Sequence, residues 1–124
     1  MKADTSKRQR AERQGRSSET WAALLLRLKG YRILGRRVRT HAGEIDLIAR
    51  APRGPVCFVE VKARGEAVEA AQSLGARQRQ RIGRAAMLYL GSRPGLDAQG
   101  VRFDIVALAR TGWPSHFRDV WRPE

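Results

Sequence analysis

Residues 43–64 read GEIDLIAR, APRGP and VCFVEVKAR, and no other stretch narrows the folds open to this chain so far. Two apolar runs of strand character flank a turn built from Pro52, Gly54 and Pro55, which predicts a β-hairpin. Charges sit inside the runs: Glu44 and Asp46 share a face of the first strand by period-two alternation, and Glu60 and Lys62 share one of the second. With Ala51 to Pro55 as the loop, Arg50 pairs with Val56. That register sets Asp46 opposite Glu60 and Glu44 opposite Lys62, all on one face. Opposed carboxylates about 5 Å apart repel by about 3 kcal/mol at an effective dielectric near 20. A divalent cation relieves that repulsion economically, because Mg²⁺ is held by one or two carboxylates with water and substrate phosphate. A one-residue slip would put the pair on opposite faces and remove the argument.

The charge balance names a class of partner. The 124 residues carry 25 Lys+Arg against 12 Asp+Glu, a net charge of +13. Such an excess argues for a polyanion, with nucleic acid (DNA first) ahead of an anionic membrane surface, and the alternative is a protein that is basic through general arginine usage. The single cysteine, Cys57, excludes an internal disulfide framework and a cysteine zinc site. No apolar run approaches the roughly 18 residues of a membrane span. The basic N-terminal stretch is followed by no apolar segment, unlike a signal peptide. The expectation is a cytoplasmic protein that does not cross a membrane.

Taken in order, residues 1–16 form a basic arm expected to be disordered, and residues 17–124 a single domain. Ser17 or Ser18 caps a helix running to about Lys29, with Gly30 as its stop. Trp21, Leu24, Leu25 and Leu28 have the spacing of a buried stripe, while Ala22, Ala23 and Leu26 make a second apolar side that also carries Glu19. Glu19 reads either as a carboxylate favoured by the helix dipole or as one aimed at the site of Asp46. A strand over Tyr31–Thr40, the hairpin, a loop over Gly65–Gly75, a helix over Arg77–Leu90, a linker over Gly91–Gly100, a strand over Val101–Ala109 and a short strand within Trp113–Trp121 complete the chain. Ile82, Ala85, Ala86 and Tyr89 mark the core face of the second helix. Gln78 falls in line with that face, where a polar group needs a partner. Arg77, Arg81 and Arg84, together with Arg64 after the hairpin, are the candidate phosphate contacts; the alternative for the helical three is a solvated face.

Helix, three strands, helix, strand, strand predicts an α/β or α+β sandwich with a mixed sheet. An acidic pair beside one lysine suits metal-assisted phosphodiester hydrolysis, with Lys62 positioning water or neutralising the transition state. The competing reading is an ordinary cross-strand salt bridge of Glu44 with Lys62, and of Asp46 with an arginine. His41 and His116 have no ligand partner at helical spacing and read as non-functional.

GEIDLIAR, then FVEVKAR, then RFDIVAL closely resemble the bacterial YraN-like uncharacterised protein family, of the restriction-endonuclease-like superfamily. The resemblance runs from about Gly15 to the C-terminus. It implies a three-layer sandwich with a central mixed β-sheet flanked by helices, and an Mg²⁺- or Mn²⁺-dependent nuclease of Holliday-junction-resolvase type. It further implies that Asp46 and Glu60 are metal ligands with the Val61 carbonyl, that Lys62 completes a Glu-x-Lys motif, and that Glu19 is the acidic residue of the first helix, near the metal. Gln78 stands where relatives usually show Lys, and Arg37 where many show Asn. Resolvase-like relatives act as dimers, so the resemblance points to a homodimer. The other function the fold allows is a DNA- or RNA-binding accessory protein without turnover.

Overall fold

The computed structural model describes residues 18–62, 75–108 and 113–122. The arm expected over residues 1–16, Arg64 and the loop residues 65–74 lie outside them. The described residues form α1 (18–28), β1 (Arg32–Thr40), β2 (Gly43–Arg50), β3 (Val56–Lys62), α2 (Ala76–Gly91), β4 (Val101–Ala107) and β5 (Ser115–Phe117). This is the expected order of elements.

The strands build one mixed sheet in the order β1-β2-β3-β4-β5. Neighbours are antiparallel except β3 and β4, which run parallel with α2 in the connection between them. Parallel neighbours need covered faces, and β3 is accordingly apolar on both: Val56, Cys57, Phe58 and Val59 are all buried. Ile48, Phe58, Phe103 and Ile105 pack with Ile82, Ala85, Ala86 and Tyr89 of α2 on one face. Leu47, Cys57, Val59 and Val106 pack with Ala22, Ala23 and Leu26 of α1 on the other. The result is an α/β three-layer sandwich.

The first helix buries the stripe opposite to the one its leucines suggest. Trp21, Leu24 and Leu28 are 48%, 42% and 68% exposed, whereas Ala22, Ala23 and Leu26 are buried. Both stripes satisfy helical periodicity. The sheet selects the one whose small side chains let the helix approach Leu47, Ala49, Cys57 and Val59 closely.

The hairpin takes the expected register, with Arg50, Ala49, Ile48 and Leu47 opposite Val56, Cys57, Phe58 and Val59. Its turn is closed by the Ala51 N–H donating to the Pro55 carbonyl at 3.0 Å and the Gly54 N–H to that of Ala51 at 3.1 Å. Beyond Leu47 the strand ceases to alternate. Leu47 and Ala49 belong to the α1 side, but Ile45 joins Ile48 on the α2 side. The neighbouring strand breaks step too: Arg37 takes a left-handed backbone with φ of 49°. At Gly35 a Cβ would lie 2.7 Å from Val38 Cγ2, so no side chain fits there. Asp46 sits at this break. Glu44 consequently does not meet Lys62 as the regular register predicts, and instead pairs across to Arg37 and Arg39 of β1.

The orientation of α1 has a direct consequence for stability. Leu26→Ala is expected to cost about 2–5 kcal/mol, as for a buried leucine. Leu28→Ala, on the exposed stripe, is expected to stay within about 0.5 kcal/mol. Urea unfolding of both variants separates the two faces.

Candidate metal centre and basic groove

At the break in β2, Asp46 turns its side chain across to β3. Its Oδ2 accepts the backbone N–H of Val61 at 2.8 Å. Its carboxyl group also shares a hydrogen bond with that of Glu60. From α2, Gln78 Nε2 donates to Glu60 Oε1 at 2.9 Å. Lys62 lies close enough for its charge to favour the ionised form of both acids. The structure thus brings Asp46, Glu60, Val61, Lys62 and Gln78 together from three elements.

Two further carboxylates flank the pair, and both are neutralised by β1. Glu19 of α1 is buried at 5% exposure; Arg36 Nε donates to its Oε1 at 3.1 Å and Arg37 Nε stands 3.7 Å from Oε2. The same Arg37 Nε is 3.5 Å from Glu44 Oε1, and Arg39 is 3.5 Å from Glu44 Oε2. Glu19 still feels the charge of Asp46. Burial pushes the Glu19 carboxyl above its ordinary range, and Arg36 and Arg37 pull against that shift.

Neither Asp46 nor Glu60 has an arginine partner among the described residues. Burial, and then the Asp46 charge, push the Glu60 carboxyl up to about 8. Burial raises Asp46 also, with the Val61 N–H and Glu60 itself drawing it back. Near neutral pH the pair therefore retains a proton between its two carboxyl groups. Two partly buried carboxylates held apart only by a shared proton suit a divalent cation that would displace it. Among the described residues no group of three or more His, Cys, Asp or Glu side chains is arranged to hold a metal. The donor set is thus two carboxylates with main-chain and water oxygens. It suits Mg²⁺ or Mn²⁺, which keep several waters, and does not suit a closed zinc cage.

A groove of about 1240 Å³ lies along α2 on a face turned away from the core. Arg79, Arg84, Arg122 and His41 line it together with the exposed Met87 and Leu88; among the described residues no acidic side chain does, though Arg122 Nη2 donates to Asp119 Oδ2 at 3.0 Å. Arg79 Nε is buried without a hydrogen-bond partner, a donor in want of an acceptor. Of the helical arginines singled out from the sequence, Arg84 lines this groove and Arg77 and Arg81 do not. The stem of Arg81 packs against Gly43 instead, 2.9 Å from where a Cβ would stand. Sequence reasoning missed Arg79, Arg122 and His41. The α2 part was legible, since residues 76, 80, 83, 84 and 87 repeat at helical spacing opposite the core stripe, but Arg122 and His41 arrive from distant segments.

Comparison with known proteins gives a family and no activity. A family model described as "Uncharacterised protein family UPF0102" matches residues 18–108. Among similar proteins is a UPF0102 protein of Parvibaculum lavamentivorans, 50% identical over 91% of this chain and 84% of the relative. Another, from Agrobacterium fabrum, is 47% identical over 94% of this chain and 95% of its own. A third, from Paramagnetospirillum magneticum, is 50% identical over 92% and 91% respectively.

The shared proton makes stability depend on pH. An unfolded Glu titrates near 4.3, whereas folded Glu60 titrates at about 8, so the folded state binds the extra proton between those values. The stabilisation is fully present below about pH 4.3 and is lost as pH rises through about 8. The slope is at most about 1.4 kcal/mol per pH unit for one proton. Metal-free protein should therefore lose urea resistance from pH 5 to pH 9, and Glu60→Gln should flatten that dependence.

Proposed function

The chain belongs to the uncharacterised protein family UPF0102, and we propose that it is a nucleic-acid phosphodiesterase dependent on Mg²⁺ or Mn²⁺. One observation carries the reading. Among the described residues, Glu19 and Glu44 are each arginine-paired, while the adjoining carboxylates of Asp46 and Glu60 have a lysine and a proton and no arginine. A carboxylate pair kept free of arginine is kept for something that comes and goes.

Asp46 and Glu60 would hold the ion, with the Val61 carbonyl as a further oxygen. When bound, such an ion stabilises developing negative charge and lowers the pKa of a coordinated water. Gln78 orients Glu60 through its amide, and the Val61 N–H orients Asp46. Lys62 offers a mobile positive charge to the phosphate as negative charge builds on it. The groove cations Arg79, Arg84 and Arg122 bind backbone phosphates, which fixes the polymer on the surface without reading its sequence.

A second reading, binding without turnover, is favoured by the groove, which is basic whatever the carboxylates do. The two readings part on the ion. Calorimetry of Mg²⁺ and Mn²⁺ binding to wild type and Asp46→Asn, with cleavage of labelled branched, single-stranded and duplex DNA, should give metal-dependent cleavage that falls about 100-fold or more in the variant. No ion binding, with DNA still bound, leaves the second reading. In either case Arg79→Ala with Arg84→Ala should lower the slope of log affinity against log salt by about 1–2.

A further inference from the structure

A second polar centre lies where the end of α1 meets β5, built from groups that the proposed site does not use. Asp104 of β4 is fully buried. Arg102 donates to both its oxygens, from Nε at 2.9 Å and Nη2 at 2.8 Å, and the backbone N–H of Asp119 donates to Oδ1 at 3.0 Å. Burial alone would raise the Asp104 carboxyl, but His116, Arg102 and the Asp119 N–H hold it below the ordinary range. His116 Nε2 stands 2.8 Å from Asp104 Oδ2, and the imidazole side chain is only 3% exposed. The other ring nitrogen, Nδ1, is 2.6 Å from Nζ of Lys29, a residue that is itself exposed. Tyr31 closes the cluster: its ring meets the His116 ring edge-on at 5.5 Å, and its hydroxyl accepts from Arg102 at 2.6 Å.

Proton placement follows from these contacts. Ionised Asp104 requires Nε2 to carry the ring proton, so Nδ1 is an acceptor and Lys29 donates to it. Two cationic groups cannot keep a 2.6 Å N···N contact, because each would point a proton at the other. Burial first, then the charges of Arg118 and Arg102, lower the Lys29 pKa, with Asp104 opposing. The choice of side chain fits the same logic. This chain has 21 arginines and only four lysines, and lysine alone can give up its proton.

We propose that Lys29 is a nucleophilic lysine and a modification site for anionic activated acyl donors of the acyl-phosphate class, with His116 as proton acceptor and Asp104 as the group that orients it. The arrangement is that of a nucleophile, a base and an orienting carboxylate. The Nζ lone pair attacks the acyl carbon and forms an amide bond, and the carbon–oxygen bond to phosphate breaks. Phosphate leaves with the bonding pair, and the Nζ proton passes to His116 Nδ1 and on to water. Arg118 supplies positive charge for the departing phosphate.

The test is acetylation of the full chain by acetyl phosphate, followed site by site through peptide mass spectrometry at Lys2, Lys7, Lys29 and Lys62 from pH 6 to pH 9. Lys29 is expected to react at least about 10-fold faster than Lys2 and Lys7 at pH 7, within the range of general-base assistance. His116→Gln should bring it down to their rate. Should that variant fail to fold, the wild-type profile decides, with half-maximal reaction of Lys29 at least about one pH unit below that of Lys2 and Lys7. Equal rates and superimposed profiles in wild type, or an unchanged preference in folded His116→Gln, would overturn the proposal and leave the cluster as a brace between α1 and β5.

Discussion

Two carboxyl groups on adjacent central strands cannot both carry charge in a partly buried setting, and much of this molecule is arranged around that conflict. The Asp46–Glu60 contact is tolerable only with a proton, a cation, or enough donors aimed at it. The fold supplies donors from three directions: the Val61 N–H, the Gln78 amide and the Lys62 ammonium. Among the described residues no arginine joins them. Complete neutralisation would give a fixed ion pair of the kind Asp104 forms with Arg102. Within one sheet, Asp104 is charged and fully partnered, while Glu60 is raised to about 8.

The same conflict accounts for the irregular backbone. A strand in perfect alternation would present Glu44 and Asp46 together on the face of Glu60, three acids in one row. The break at Asp46 sends Glu44 to the arginines of β1 and leaves a single pair. Arg37 carries part of the strain, since a left-handed backbone is unfavourable for an arginine. Its Nε, 3.7 Å from Glu19 and 3.5 Å from Glu44, bridges both flanking acids.

Most of the architecture was legible because the signals were redundant. The hairpin register was specified by its turn and by the pattern of Leu47, Ile48, Cys57 and Phe58, any slip of which would expose the core. The α2 core face followed from Ile82, Ala85, Ala86 and Tyr89 alone. The packing of α1 was not legible, because two apolar stripes competed and only the shape of the sheet chose between them. The convergence of Asp46 with Glu60 was legible from register; the diversion of Glu44 was not, since it depends on the break in alternation at Asp46 and on arginines of a different strand. The contacts of His116 were not legible for a related reason: its partners lie 12 and 87 residues away in sequence, beyond any local spacing rule.

Chain-wide charge acquires meaning once it is divided by position. Arginine on β1 is paired with the buried Glu19 and the exposed Glu44. Among the described residues, arginine on the outer side of α2 faces a groove with no acid lining it, and one donor there, Arg79 Nε, lacks even a backbone acceptor, whereas Arg122, which also lines it, is paired with Asp119. A buried donor without a partner costs stability, by about 1–3 kcal/mol, unless an acceptor arrives from outside. A phosphate oxygen is such an acceptor, and a polymer of phosphates matches a row of such donors better than any isolated anion does. Among the described residues the positive charge is therefore divided by position: paired with acids on β1, without an acid along α2, and represented at the Asp46–Glu60 pair by Lys62 and no arginine.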